Sequence, residues 1–282
     1  METTPVDIKF VIDELRSLEG YKIDNIFHKD RKIRISIHNH DLIVAPDIMY
    51  STKRAKLKDI TEFALMLRKY LKNKIVDSIE QYNFSKVVEM KTGDNILILE
   101  FSDKGNCILC DNSYRIIMPL EFMRIGNRKI AAKEQYTHPR VYDIVDVVEL
   151  KRLLNSEKSV KDILSDSLGR YAVEALADLD GDKTANKLSS EEVEVLHTKI
   201  RALMTKEFKP QVVLKNKLLV DVLPFDLDEN KNDEKRYFSS FNEALDYFFS
   251  RMDYLESIKR LEKKRRKMIR KKRRKRLKKR RK

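Results

Sequence analysis

KVVEMKTGDNILILEFSDKGNCILCDNSYRIIMPL, residues 86–120, decides the fold class. FSKVVEMK, NILILEF, NCILCD and YRIIMPL read as short strands, and KTGDN, SDKGN and CDNS mark the turns among them. Such runs, separated by Gly, Asp, Asn and Ser, read as strands joined by tight turns. Gly105-Asn106 belongs to one of these turns, where a positive φ is tolerated. Cys107-Ile-Leu-Cys110 lies inside a strand. A redox C-x-x-C pair opens a helix, whose N-terminus activates the thiol. On a strand, residues three apart point to opposite faces, so these sulfurs are expected to diverge and to pack as apolar groups. No second C-x-x-C or paired histidine completes a four-ligand zinc site.

Strands continue on both sides. KIVDSIEQ precedes this stretch, and YKIDNIF, KIRISIH and LIVA lie further upstream. Their regular spacing predicts a sandwich or a strongly bent sheet. The first helix has Thr4 as N-cap and Pro5 in its first turn. It carries Ile8, Val11, Ile12, Leu15 and Leu18 at helical spacing and stops at Gly20. A second helix, DITEFALMLRKYLKN at 59–73, is expected to bury Phe63, Leu67 and Leu71 with Ile60 and Ala64, leaving Arg68, Lys69 and Lys72 outside.

The character changes near Pro139. Residues 141–205 read as helical, with breaks at SLGRYAVEAL and GDKTANK and a capping box, Ser189 with Glu192. QVVL and KLLVDVL form a second β pair around Lys215-Asn216. An acidic loop, DLDENKNDEK, follows, and Ser240 caps a last helix, SSFNEALDYFFSRM. Leu255, Ile258, Leu261 and Met268 then keep the apolar spacing of a coiled-coil start. The fold expected is α+β in three parts. Residues 1–140 form a β-rich domain with packed helices, 141–238 a helical region with a short β pair, and 239–282 a C-terminal helix with a polybasic tail.

Charge is uneven. The chain carries 60 Lys+Arg against 45 Asp+Glu, yet residues 259–282 alone hold 19 basic groups and one acid, Glu262. The remainder is slightly acidic, 41 basic against 44 acidic groups, so the overall charge says nothing about the body. The tail repels itself and has little apolar surface to bury. Lys263, Arg265, Arg270, Arg273, Arg276 and Arg280 are its electrostatic contacts, expected to bind RNA with a steep salt dependence.

No apolar run of about 18 residues is present to span a membrane, and the N-terminus lacks a basic signal region. No Walker A, Rossmann or G-x-S-x-G pattern occurs. The expectation is a cytoplasmic protein with no membrane partner, no cofactor and no metal, acting by binding and not as an enzyme. His38-Asn39-His40 reads as a strand-end turn, and Asp13-Glu14 as ordinary solvated helix charges. SDSLGRYAVEAL fits a helix-hairpin-helix, whose amides reach a phosphate, although only Gly169 stands where two glycines are usual.

The order of these features resembles the N-terminal half of the NFACT family of ribosome-associated quality-control factors. The resemblance rests on Asp7 with ELRSLEG, on Phe63-Ala64 through Leu71, and on GNCILCD, YRIIMPL and EQYTHP. The hairpin, VDVLPFDL and SFNEALDYFF follow in the same order, to about residue 262. It implies an NFACT-N-like domain followed by a helix-hairpin-helix domain. It also implies binding to a large ribosomal subunit carrying peptidyl-tRNA, contact with rRNA, and recruitment of aminoacyl-tRNA where a stalled chain is extended without mRNA. The residues it points to as tRNA or rRNA contacts are Asp7, Arg68, Lys69, Ser85 and Lys86, with Gly169 and Arg170 at the hairpin.

Two departures stand out. Family members carry Asp-Arg where QYNFSKVVEM has Ser85-Lys86. Lys86 keeps the charge without arginine's fork, and Ser85 lacks the carboxylate, which bears on chain extension more than on ribosome binding. The family's long coiled coil and RNA-binding domain do not follow here, as in a truncated gene, a short natural form, or a protein whose C-terminal half is encoded separately. Two alternatives accompany this reading. One is a non-specific RNA-binding interaction protein acting through its tail. The other is a formamidopyrimidine-type DNA glycosylase, whose N-terminal fold and hairpin are similar. Those enzymes attack with a proline at the mature N-terminus, whereas this chain has Glu2 there and its first proline at Pro5.

Overall fold

The computed structural model describes residues 3–255, except 54, 102, 103 and 178. A capping box starts the first helix, α1 (Pro5–Leu15). The Thr4 hydroxyl accepts the Asp7 amide, and the Asp7 carboxylate accepts the Thr4 amide at 2.8 Å. Val6 and Phe10 are buried along with the expected Ile8, Val11, Ile12 and Leu15. A helix apolar on nearly every side belongs inside a core. Here α1 bridges two sheets, touching an edge strand of each.

The first sheet is an antiparallel meander of β1 (Ile23–Lys29), β2 (Lys32–Ile37), β3 (His40–Ala45) and β4 (Ile48–Thr52). Helix α2 (Glu62–Leu71) packs on β1, capped by Thr61, and buries Phe63, Ala64, Leu67 and Leu71. Ile60 precedes the helix and is exposed, correcting its expected place on the buried face. The second meander is β5 (Ser78–Gln81), β6 (Val87–Thr92), β7 (Asn95–Glu100), β8 (Asn106–Asp111) and β9 (Ile116–Pro119). Every residue of β7 is buried because this sheet has a core on each face. Leu97, Leu99, Cys107 and Leu109 join the main core, while Ile96, Ile98, Ile108 and Cys110 enter a smaller one with Ile130 and Tyr136. The two cysteines therefore diverge as their strand requires. A hairpin, β10 (Met123–Ile125) with β11 (Arg128–Ile130), supplies Ile130 to the smaller core.

The helical part comprises α3 (Val147–Leu154), α4 (Val160–Leu168), α5 (Ala172–Leu176) and α6 (Ser190–Met204), the last opened by the Ser189–Glu192 box. A three-stranded sheet follows, β12 (Gln211–Lys215) lying between β13 (Leu218–Leu223) and β14 (Glu234–Tyr237). Asn216 and Lys217, both at positive φ, make the two-residue turn, one position later than the sequence suggested. The main core runs without interruption from Val6 to Phe248, so the change near Pro139 is one of element type within a shared interior.

Residues 241–255 are helical. The Ser240 hydroxyl accepts the Glu243 amide at 3.0 Å. Glu14 is not a solvated charge: its carboxylate accepts the amides of Phe241 and Asn242 at 2.6 and 2.8 Å, together with the Asn242 side chain. A carboxylate at a helix N-terminus satisfies its orphan donors and opposes its dipole. Glu14→Ala is expected to lower stability by about 2 kcal/mol, read from the urea midpoint of the full chain. The coiled-coil continuation and the tail residues Lys263, Arg265, Arg270, Arg273, Arg276 and Arg280 lie outside the described residues.

Candidate nucleic-acid interface

Three segments far apart in sequence meet at Asp7, which is fully buried. Asp7 Oδ1 accepts from Arg170 Nη2 and from the Tyr171 hydroxyl, both at 2.7 Å, while Oδ2 is held by Thr4. Arg170 belongs to the turn Gly169–Tyr171 between α4 and α5. Its Nη2 also donates to the Val222 carbonyl at 3.1 Å, and its Nε lies 3.4 Å from Asp221 on β13. Burial alone would push the Arg170 pKa down, but Asp7, Tyr171 and Asp221 raise it, so the cation persists. Burial holds Tyr171 well above the usual phenol range, keeping it a donor. Burial also raises Asp221, against the opposing pull of Arg170.

These contacts correct two readings. Asp7 and Arg170, expected at an RNA surface, are each other's partners inside the protein. Gly169 adopts φ 59 and ψ −131 against the start of α1, where an added Cβ would stand 2.6 Å from Thr4 Cγ2. It serves a close approach between α1 and the α4–α5 turn.

In front of this junction, Pro5 lines a cavity of about 380 Å³ with Phe84, Ser85, Lys86, Arg128, Arg140 and Tyr142, and with Asp166 and Ser167 from α4. Gln81 Nε2 donates to the carbonyls of Pro5 at 2.9 Å and Ser85 at 2.8 Å, tying the wall to α1. Ser85 is buried. Its hydroxyl donates to the Tyr82 carbonyl at 2.6 Å and accepts the Val87 amide at 3.2 Å, so it shapes the loop and its one O–H is already committed. Arg128 donates to Glu100 and to the Thr137 carbonyl, and Glu100 also accepts the Tyr136 hydroxyl at 2.7 Å. Asp166 is paired with Lys158 at 3.1 Å. Arg140 lies 5.8 Å from the Tyr142 ring centre and, among the described residues, has no carboxylate within ion-pair distance. Of the lining charges, Arg128 is thus taken up by Glu100 and Asp166 by Lys158, which leaves Lys86 and Arg140 as the other two cations on the wall. The cavity favours an anion, and its two rings suit a base.

Arg68 and Lys69 do not line this cavity. Arg68 Nε donates to the Ile26 carbonyl at 2.6 Å, and its guanidinium shares the Phe27 ring with Arg34. That geometry makes it a brace between α2 and β1. Lys69 is exposed. His38 sits in a turn at φ 52, stacked on Tyr21. His138 bonds Glu89 at 2.6 Å and stacks on Tyr82. Burial pushes the Glu89 carboxyl up, but its bonds from His138 and Tyr114 prevail and hold it below the usual range. Tyr114 is pushed up to about 12 by burial and by Glu89. Among the described residues no three His, Cys, Asp or Glu side chains converge as a metal site, and no helix is long and apolar enough to cross a membrane. Gln81, Arg128, Arg140 and Tyr171 were not among the residues singled out from the sequence, although QYNFSKVVEM, which supplies Ser85 and Lys86, and EQYTHP, next to Arg140, both border the cavity.

A β-rich part and a helical part sharing one core around a buried first helix define the fold class. Solved structures share it. The fibrinogen binding protein from Staphylococcus aureus has a TM-score of 0.68 at 18% identity, covering 87% of this chain and 98% of that one. The N-terminal part of the fibronectin/fibrinogen-binding protein from Streptococcus suis has 0.65 at 22%, with the same coverage. This likeness is one of fold alone. The chain matches the NFACT N-terminal and middle domains over residues 4–282, and it belongs to that family. It is 34% identical over 284 residues to the archaeal Rqc2 homolog aRqcH of Methanocaldococcus jannaschii, covering 89% of this chain and 42% of that protein. It is 28% identical over 163 residues to the ribosome quality control complex subunit NEMF of Homo sapiens, covering 52% of this chain and 15% of that one. The chain therefore spans less than half the length of these relatives.

Proposed function

We propose that this chain is the RNA-engaging part of a cytoplasmic ribosome quality control factor. It binds large ribosomal subunits that retain peptidyl-tRNA, through tRNA and rRNA, and acts by binding and not by catalysing a reaction itself. The observation that carries the reading is the cationic cavity between Pro5, Lys86 and Arg140, in an NFACT chain whose relatives are named for ribosome quality control. Lys86 and Arg140 attract phosphate, Phe84 and Tyr142 offer rings, and the Asp7–Arg170 pair fixes the frame behind them. The basic tail adds a sequence-independent, salt-sensitive attachment. Extension of the stalled chain is the weaker part of the reading, because Ser85 brings no carboxylate to the wall.

Co-sedimentation of the full chain with obstructed subunits, empty subunits and bare RNA at moderate salt tests this. Lys86→Glu with Arg140→Glu is expected to weaken binding to obstructed subunits on the order of tenfold, about 1.4 kcal/mol. Unchanged binding, or no preference for obstructed subunits over bare RNA, overturns the reading and favours a tail-driven RNA binder.

A further inference from the structure

A second cleft, of about 750 Å³, opens between β3–β4, β14 and the helix 241–255. It lies by the far end of α1. Glu14, in the last turn of α1, holds the Phe241–Asn242 corner, whereas Pro5 at the first turn borders the cavity already described. At roughly 1.5 Å per helical residue, the two regions are about 14 Å apart along α1. They share no lining residue.

One wall is an arginine–tyrosine–arginine group. The guanidinium carbons of Arg236 and Arg251 lie 4.3 and 4.6 Å from the Tyr247 ring centre, and Arg236 Nη1 donates to the Tyr247 hydroxyl at 3.0 Å. Two guanidinium groups on one ring are close enough to meet adjacent phosphates of one strand. Lys53 stands on the facing rim. Among the described residues none of these three cations has a carboxylate within ion-pair distance. Two acids nevertheless line the same cleft. Glu243 accepts the Ser239 hydroxyl at 2.5 Å, and Asp246 accepts the Ser250 hydroxyl at 3.1 Å. Each carboxylate keeps acceptor capacity beyond that one bond.

We infer that this cleft is a second site for single-stranded RNA, separate from the Lys86–Arg140 cavity. Lys53, Arg236 and Arg251 take phosphates, and a guanidinium plane braced on Tyr247 stacks a base. Glu243 and Asp246 accept from base amino groups, as a carboxylate does from cytosine N4. This mixture of charges selects the ligand class. An acidic peptide satisfies the cations but is repelled by both carboxylates, whereas RNA carries anionic phosphates and neutral amino donors together. The inference rests on the RNA-binding reading above for its ligand class, and on different residues for its site.

Ultraviolet crosslinking of the full chain to short oligocytidine and oligouridine, at salt high enough to weaken the tail, reads both sites at once. Crosslinked peptides holding Tyr247 are separable by mass spectrometry from those holding Phe84 or Tyr142. A crosslink at Tyr247 or Phe238 is expected, stronger with oligocytidine than with oligouridine, which has no base amino group. Arg236→Gln with Arg251→Gln is expected to reduce it on the order of fivefold. Arg236→Lys with Arg251→Lys, which keeps the charge and loses the planar stack, is expected to fall between, with circular dichroism confirming the fold of each variant. Absence of the crosslink, its indifference to the glutamine pair in a folded protein, or its displacement by polyglutamate as readily as by RNA overturns the inference. Loss of the Phe84 and Tyr142 crosslinks alone counts against the first cavity and leaves this site standing.

Discussion

Asp7→Ala is expected to lower the stability of the full chain by about 3–5 kcal/mol, the range for removing one partner of a buried ion pair. The substitution removes the 2.7 Å carboxylate partner of the buried Arg170 guanidinium, whose other carboxylate contact, Asp221, is more distant at 3.4 Å. It also removes the acceptor of the buried Tyr171 hydroxyl and the return half of the Thr4 capping box. Asp7→Asn keeps the shape but sets an amide N–H₂ or a lost charge against donors on both sides, so an intermediate loss is expected. Urea unfolding reads both, the midpoint falling with an unchanged slope. The same variants separate a frame from a contact. If Asp7 is frame, RNA affinity falls only as far as the folded fraction falls. If Asp7→Asn abolishes RNA binding in a fully folded protein, Asp7 touches the ligand and the buried-pair account is wrong.

The sequence made local chemistry legible and left distant pairing hidden. Strands over 86–120 were readable because their turn clusters and apolar runs are adjacent, and the Thr4 and Ser189 caps because cap and partner sit three residues apart. Glu14 looked solvated because the helix it caps begins more than 200 residues later. Strand β14 was hidden because EKRY has no apolar alternation, and it is held by pairing with β12. The sandwich expectation missed the place of α1: its periodicity showed one apolar face, whereas the helix lies against an edge of each sheet and Phe10 also meets the rings of Phe208 and Phe225. For the site, charge was read as exposure. Asp7 and Arg170 are charged and buried because they neutralise each other across 163 residues. Arg128, at the start of a three-residue strand, and Arg140, in a connecting segment, are isolated arginines with no pattern to declare them.

Gly169→Ala is expected to cost about 3 kcal/mol, from two effects that meet at Thr4. The first is backbone strain: φ 59 with ψ −131 lies outside the regions open to L-residues, the left-handed helical well included. The second is steric, since the new Cβ would stand 2.6 Å from Thr4 Cγ2. Thr4 cannot turn aside freely, because its hydroxyl is bonded to Asp7 at 2.8 Å and accepts the Asp7 amide. Strain at residue 169 therefore passes to the Asp7–Arg170 pair. Thr4→Ser keeps the hydroxyl and deletes Cγ2, so in that background Gly169→Ala should cost about 1 kcal/mol less, a coupling that a double-mutant cycle measures. Equal costs in both backgrounds would show that the methyl contact is absent. A cost below about 1 kcal/mol in either would show that the turn relaxes to a conformation open to alanine. The expected pattern ties the glycine to the fit between the α4–α5 turn and α1. Pro5, next to Thr4, lines the cavity, so on the proposed reading a change at Gly169 is expected to alter RNA affinity only through this packing.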